Sequence, residues 1–192
     1  FRVALASARA ETYARPGALP DVTPGTIAQD LVRRDFSINA MALLLDGRNR
    51  GDLLDPHGGR FDLERGLLRV LHERSFVDDP TRILRGVRYE QRFGFAFDEG
   101  TLSLLRDGLQ SLSRVSGDRV RHEFERTFEE DEPETALLRL DVLGVLPALH
   151  PLLGFDQRKA WAFRGARAVA VGPQLHTLYW CLLFWGTAGE GA

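Results

Sequence analysis

A chain of 192 residues fits one large domain or two small ones, and its 44% hydrophobic and 27% charged content gives it a real core, not a disordered tail. Its 25 basic and 27 acidic side chains leave a net charge of -2, which excludes a uniformly basic nucleic-acid coat but not a local basic patch. The single cysteine, Cys181, excludes internal disulfides and multi-cysteine metal sites, and no apolar run reaches the roughly 18 residues of a membrane span. All but one of the basic residues are arginine, which suits phosphate and base edges but also follows from GC-rich coding. The opening Phe1-Arg2-Val3-Ala4-Leu5 lacks a signal-peptide pattern, so the expectation is a cytoplasmic protein or a fragment of one.

In chain order, residues 1–8 (FRVALASA) read as a buried strand. Residues 14–25 hold three prolines and two glycines and read as a mobile loop. Thr26 and Asp30 open a helical segment through Ile27, Leu31 and Val32. Residues 41–56 predict a hairpin about Asp46-Gly47, 57–66 a loop, and 67–73 a short strand or turn. From residue 79 the pattern turns helical. Asp79, Pro80 and Gly94 frame one helix. Asp98 starts a second, with Leu102, Leu105 and Leu109 on one face, and Ser116 caps a third, with Val120, Phe124 and Phe128. After the acidic break at 129–134 come helical pieces at 135–146, around Trp161, and at 175–185. The last is almost wholly apolar and reads as a core helix or an interface. The chain is therefore mixed α and β before about residue 75 and all α after it.

Three constellations could carry chemistry. In the first, Arg33-Arg34-Asp35 precedes Asn39; on a helix Asp35 and Asn39 share a face, and one arginine with one amide could hold a phosphate and a sugar hydroxyl. The plainer reading is a solvated helix end. In the second, Asp79, Arg82, Arg85 and Arg88 form a stripe opposite Ile83, Leu84 and Val87, facing away from the core and suited to polyanions. Asp79 with Arg82 can also present hydrogen bonds to a base edge; the plainer reading is a salt-bridged surface helix. In the third, Ser116 as a cap and Arg119–Glu123 as an (i, i+4) pair stabilise a helix start. The histidines lack metal-ligand spacing, and no GxGxxG, phosphate-loop or GxSxG pattern occurs.

The strings DLVRRDFSINAMAL (30–43), LLDPHGGRFDLERGLLRVL (53–71) and SFVDDPTRILRGVRYEQRFGF (75–95) resemble the class II tRNA nucleotidyltransferases and bacterial poly(A) polymerases, in that order and at family spacing. The resemblance implies an α+β fold: the remnant of a polymerase-β-like nucleotidyltransferase head (1–60), an all-α neck (61–130) and a partial helical body (131–192). It implies that Arg33, Arg34, Asp35 and Asn39 contact the incoming nucleotide, and that Asp79 and Arg82 read the base of CTP or ATP. Arg85 and Arg88 would extend the site along the neck helix, while Ser116, Arg119 and Glu123 brace it. The loop from Tyr13 to Gly25 matches a flexible loop that switches between bases. The implied partners are a nucleoside triphosphate and an RNA, the tRNA 3′ end above all.

Family members open with GGxVRD and an Asp-x-Asp pair that holds two Mg²⁺ ions, and neither string occurs in this sequence. Ala4 stands where a third carboxylate often lies before the arginine matched by Arg9. The expectation is an N-terminally truncated member with Mg²⁺ chemistry in its family but without the metal ligands, and inactive alone. The alternative is a non-catalytic nucleotide- or RNA-binding remnant; a further one is an incomplete gene product. Exposed apolar surface at both ends predicts self-association, with residues 83–93 the most protected from exchange.

Overall fold

The computed structural model describes residues 5–15 and 17–186. Strands β1 (Arg9–Thr12) and β2 (Asp21–Pro24) pair antiparallel, Arg9 opposite Pro24. Helix α1 (Ile27–Val32) starts at a capping box in which Thr26 Oγ1 accepts from Gln29 N and Gln29 Oε1 accepts from Thr26 N. A 3-10 turn (Ser37–Asn39) and the hairpin β3 (Ala42–Leu43) and β4 (Leu53–Leu54) follow, then α2 (Gly59–Arg65) and β5 (Leu67–Leu68). Helices α3 (Ser75–Asp78) and α4 (Thr81–Phe93) lead to β6 (Ala96–Phe97), which pairs parallel with β5. The remainder is helical: α5 (Glu99–Gly108), a 3-10 segment (Leu109–Arg114), α6 (Gly117–Phe128), α7 (Pro133–Val142), α8 (Val145–Leu149), α9 (Gln157–Val169) and α10 (Gly172–Phe184). The architecture is α+β.

Four local expectations are corrected. The strand expected over 1–8 falls partly on residues outside the described ones; Leu5 to Ala8 form no strand, which begins at Arg9. The expected loop 14–25 contains β2, an exposed edge strand whose one proline, Pro24, is its last residue, where a missing N–H is tolerated. The expected loop 57–66 is α2: the Asp55 carboxylate accepts from Gly59 N and Arg60 N and supplies the cap that Gly58-Gly59 conceals. The stretch after residue 75 is not wholly helical, because β6 returns to β5.

The core is one cluster running from Phe36 and Leu68 through Ile83, Leu84 and Val87 of α4 to Phe128, Phe163 and Tyr179. Helix α4 is its axis. Asp79 Oδ1 accepts from the Thr81 N–H at its start, and Gly94 ends it in left-handed backbone. Gly86 lets the chain on both sides of α4 in sequence pack tightly against it: a Cβ there would lie 2.7 Å from Phe36 Cζ and 2.9 Å from the Phe97 ring. Phe36, fully buried and bridged to Val70, in turn fixes the neighbouring Asp35. Gly59 does the same for α2, since a Cβ there would overlap the Ser37 carbonyl. The body closes on stacked aromatics, with Phe163 and Tyr179 at 4.3 Å between ring centroids and 5° between planes. Among the described residues no helix is long and apolar enough to cross a membrane.

Candidate nucleotide-binding cleft

A cleft of about 540 Å³ opens between the β1–β2 hairpin, the turn after α1, and α4. It is lined by Arg33, Arg34, Asp35, Asn39, Asp79, Arg82 and Arg85, together with Arg9, Glu11, Tyr13, Pro20 and Tyr89. Three sequence stretches thus converge on one space. Arg88, expected with them, lies outside it: it lines the neighbouring groove between α4 and α6.

The residues reach the cleft by routes the sequence did not show. Helix α1 ends at Val32, so Asp35 and Asn39 share no helix face. Phe36 is extended, and the 3-10 turn folds back so that Asn39 Nδ2 donates to Asp35 Oδ1 at 3.0 Å. Asp35 also pairs with Arg85, Oδ2 to Nη2 2.6 Å. Arg33 and Arg34 are both held by Asp30, at 2.6 Å and 2.7 Å. Because α1 is short and ends there, adjacent arginines reach back to one carboxylate by (i, i+3) and (i, i+4) steps. Asp30 is buried, which pushes its carboxyl up, but hydrogen bonds from Arg34, Arg33 and the Arg9 N–H outweigh this and bring it down to about 2. From sequence Asp30 marks only a helix start, and its (i, i+3) and (i, i+4) spacing to both arginines is the signal for this role.

Two arginines of α4, Arg82 and Arg88, do not face solvent. Arg82 is 3% exposed and donates to Ser75 Oγ at 2.7 Å and to the Arg33 carbonyl at 2.8 Å. Arg88 is nearly as buried. The reason is tertiary: α3 and the α1 turn cover one side of α4, and α6 and α7 cover the other. Asp79 uses Oδ1 for Thr81 Oγ1 (2.6 Å) and Arg119 Nη2 (2.6 Å). Arg119 therefore turns to Asp79 instead of forming the expected pair with Glu123, and its Nη1 donates to the Gly17 carbonyl at 3.0 Å. The hairpin loop is in this way tied to the same carboxylate. Ser116 occupies the N-cap position of α6 but its hydroxyl makes no cap hydrogen bond, so the expected side-chain cap is absent there. Glu123 faces Arg85 and Arg88; burial pushes its carboxyl up against their pull.

Tyr13 and Glu11 enter the cleft from β1 and its loop, and sequence reading gave them no role as lining residues. Tyr13 donates to Glu11 Oε2 at 3.3 Å, and burial raises its hydroxyl pKa. Glu11 Oε1 accepts from Arg33 Nη1 at 2.9 Å.

An α+β front packs on helices, with an arginine-and-carboxylate cleft at their junction. Residues 2–69 match the poly(A) polymerase head domain, and residues 94–155 match the probable RNA- and SrmB-binding site of polymerase A. The chain is 46% identical over 153 residues to the A-adding tRNA nucleotidyltransferase of Halalkalibacterium halodurans, covering 78% of this chain and 36% of that protein. It superposes on an apo CCA-adding enzyme with a TM-score of 0.85 and 35% identity, over 94% of this chain and 45% of the other. On the Thermotoga maritima CCA-adding enzyme complexed with tRNA the TM-score is 0.73 with 37% identity, over 83% and 41%. The chain belongs to the family of tRNA nucleotidyltransferases and bacterial poly(A) polymerases. It spans about a third of the length of the Halalkalibacterium relative.

Proposed function

We propose that this chain carries the nucleotide-selecting part of an RNA nucleotidyltransferase that moves AMP or CMP from ATP or CTP to an RNA 3′-hydroxyl, in the cytoplasm. In that reaction the 3′-oxygen bonds to the α-phosphorus, the α–β phosphoanhydride breaks, and pyrophosphate leaves. One observation carries the reading: Arg33, Arg34, Asp35, Asn39, Asp79, Arg82 and Arg85 line a single cleft. Relatives named for A- and CCA-addition, one of them seen with tRNA, support the tRNA 3′ end as the acceptor. Asp79, with Oδ1 committed to Thr81 and Arg119, offers Oδ2 as acceptor, and Arg82 is the matching donor for a base edge. Arg34, the more exposed of the pair on Asp30, takes the phosphates. Asn39 and Asp35 take the sugar.

The family resemblance implies two metal ions acting as Lewis acids on the triphosphate. The described residues do not fit them. The cleft's carboxylates are each committed to arginine, Glu11 to Arg33, Asp35 to Arg85 and Asp79 to Arg119. No group of three His, Cys, Asp or Glu that could hold a metal forms among the described residues. The chain's residues are therefore assigned to binding and orientation, and no step is routed through a metal. This favours, as the second reading, a chain that binds nucleotide and RNA without catalysing.

Calorimetric titration with ATP tests the assignment. Arg82→Ala should weaken binding by about tenfold or more, the worth of a bidentate contact. Arg34→Ala, which leaves the core untouched, should weaken it less. Equal affinity in the wild type and both variants would sink the reading. Incubated with Mg²⁺ or Mn²⁺ and labelled ATP or CTP, the chain should leave a tRNA 3′ end unextended; robust incorporation would place metal ligands where we assign none.

A further inference from the structure

Beside the nucleotide cleft runs a second groove of about 400 Å³ between α4 and α6, lined by Arg85, Arg88, Tyr89, Arg92, His122, Glu123, Arg126 and Glu129. The two spaces share Arg85 and Tyr89. Four guanidiniums face two carboxylates there. Arg126 and Arg92 are half-exposed, held at 3.4 Å by Glu129 and at 2.8 Å by Glu130. Deeper in, Arg88 is nine-tenths buried; its Nη1 donates to Glu130 at 3.2 Å, and its Nε meets no acceptor. Opposite it, Glu123 Oε2 is buried, accepts no hydrogen bond, and stands 4.0 Å from Arg88 Nη2.

Polar groups this deep are ordinarily paired, and each unmet one gives up hydration for nothing. An orphan donor and an orphan acceptor side by side, on side chains that line an open groove, fit a ligand that is both anionic and hydroxyl-bearing. A phosphate satisfies the guanidiniums. A hydroxyl donating to the Glu123 carboxylate satisfies the other half. The sugar-phosphate unit with both is a ribonucleotide of RNA, because the 2′-hydroxyl supplies the donor that DNA lacks.

We propose that the α4–α6 groove is an RNA-backbone subsite in which Arg88, Arg92 and Arg126 hold a phosphate and Glu123 accepts from a ribose 2′-hydroxyl. It deepens the reading above and rests on it only for the presence of an RNA. The groove opens into the nucleotide cleft at Arg85, so a strand lying in it would direct its end toward the incoming nucleotide. Arg88 thus belongs to the strand and not to the nucleotide.

The test uses the full chain and two fluorescein-labelled single strands of one sequence, RNA and DNA, followed by anisotropy over a salt series. The wild type should prefer RNA by about tenfold, the worth of one hydrogen bond to a charged group. Glu123→Ala should bind both strands alike, while Glu123→Gln, whose amide oxygen still accepts, should keep the preference and guard against a folding artefact. Arg92→Ala with Arg126→Ala, both partly solvent-exposed, should lower RNA affinity and reduce the salt slope by about two. ATP affinity should stay unchanged in that double variant. The proposal is overturned if the wild type fails to bind RNA, if it treats RNA and DNA alike, or if the double arginine variant keeps full affinity and slope. Should Arg82→Ala leave ATP binding intact while these RNA results hold, the nucleotide reading falls and the groove stands.

Discussion

Two buried carboxylates in this chain do the same local job in different surroundings. Asp30 holds Arg33 and Arg34 through both its oxygens. Glu134, 1% exposed on α7, holds Arg164 and Arg167 of α9 through both of its own, Oε1 accepting from both arginines and Oε2 from Arg167. Burial pushes each carboxyl up, and arginine hydrogen bonds pull each below its ordinary range. What differs is the space beyond the guanidiniums. Arg33 and Arg34 line an open cleft, whereas Arg164 and Arg167 line none of the clefts described above and tie α9 to α7. An arginine pair becomes a binding device when the fold leaves a void in front of it, and a strut when it does not.

The largest expected effect lies on the strut side. Phe163→Ala removes a fully buried ring stacked on Tyr179 and should cost about 3–5 kcal/mol by denaturant unfolding. A loss below about 1 kcal/mol would mean the helices at the C-terminal side pack without that stack. Glu134→Gln breaks a buried pair and should cost roughly 3 kcal/mol, with ATP affinity unchanged once folding is allowed for. A matching fall in ATP affinity would break the division between strut and binding device.

Asp30 should do both. Its folded carboxyl lies below the unfolded value, so its stabilisation is present above the ordinary carboxylate range and lost as pH falls from near 4 toward about 2. That is worth roughly 2 kcal/mol near neutrality. Asp30→Asn should flatten the stability profile in that acid window and also weaken ATP binding, because Arg33 and Arg34 lose their anchor. Stability that changes while affinity does not would make Asp30 a strut like Glu134. The smallest effect belongs to an exposed pair: Arg60→Ala, which removes the contact to Glu64 on the outside of α2, should shift stability by under about 0.5 kcal/mol.

How much of this was legible depends on how far apart the cause and the effect lie in the chain. The start and stop of α4 follow from Asp79, Pro80 and Gly94 alone, and α5 follows from Asp98, whose carboxylate accepts from Thr101 N. The hairpin at 42–54 formed, but its register centres on Arg48 within a loop of residues 44–52 and not on the Asp46-Gly47 turn signal. Helix α2 was missed because its cap, Asp55, stands four residues ahead of Gly59, behind a Gly-Gly that reads as a turn. Strand β2 was missed because its partner lies nine residues back beyond a proline-rich loop, and pairing of that kind leaves no local trace.

The site divides in the same way. Residue types and spacing in 30–43 and 75–95 marked two separate constellations, and the family resemblance of those strings joined them into the seven predicted residues that the cleft brings together. Sequence also determined that Ile83, Leu84 and Val87 bury one side of α4. Only tertiary structure decided that the opposite side is buried too, that Arg82 is propped by Ser75 and the Arg33 carbonyl, and that Arg88 faces a different groove from Arg85. Helical periodicity states which residues share a face. It does not state what covers that face, since that depends on α3, α6 and α7 arriving from tens of residues away, each settled by its own buried contacts.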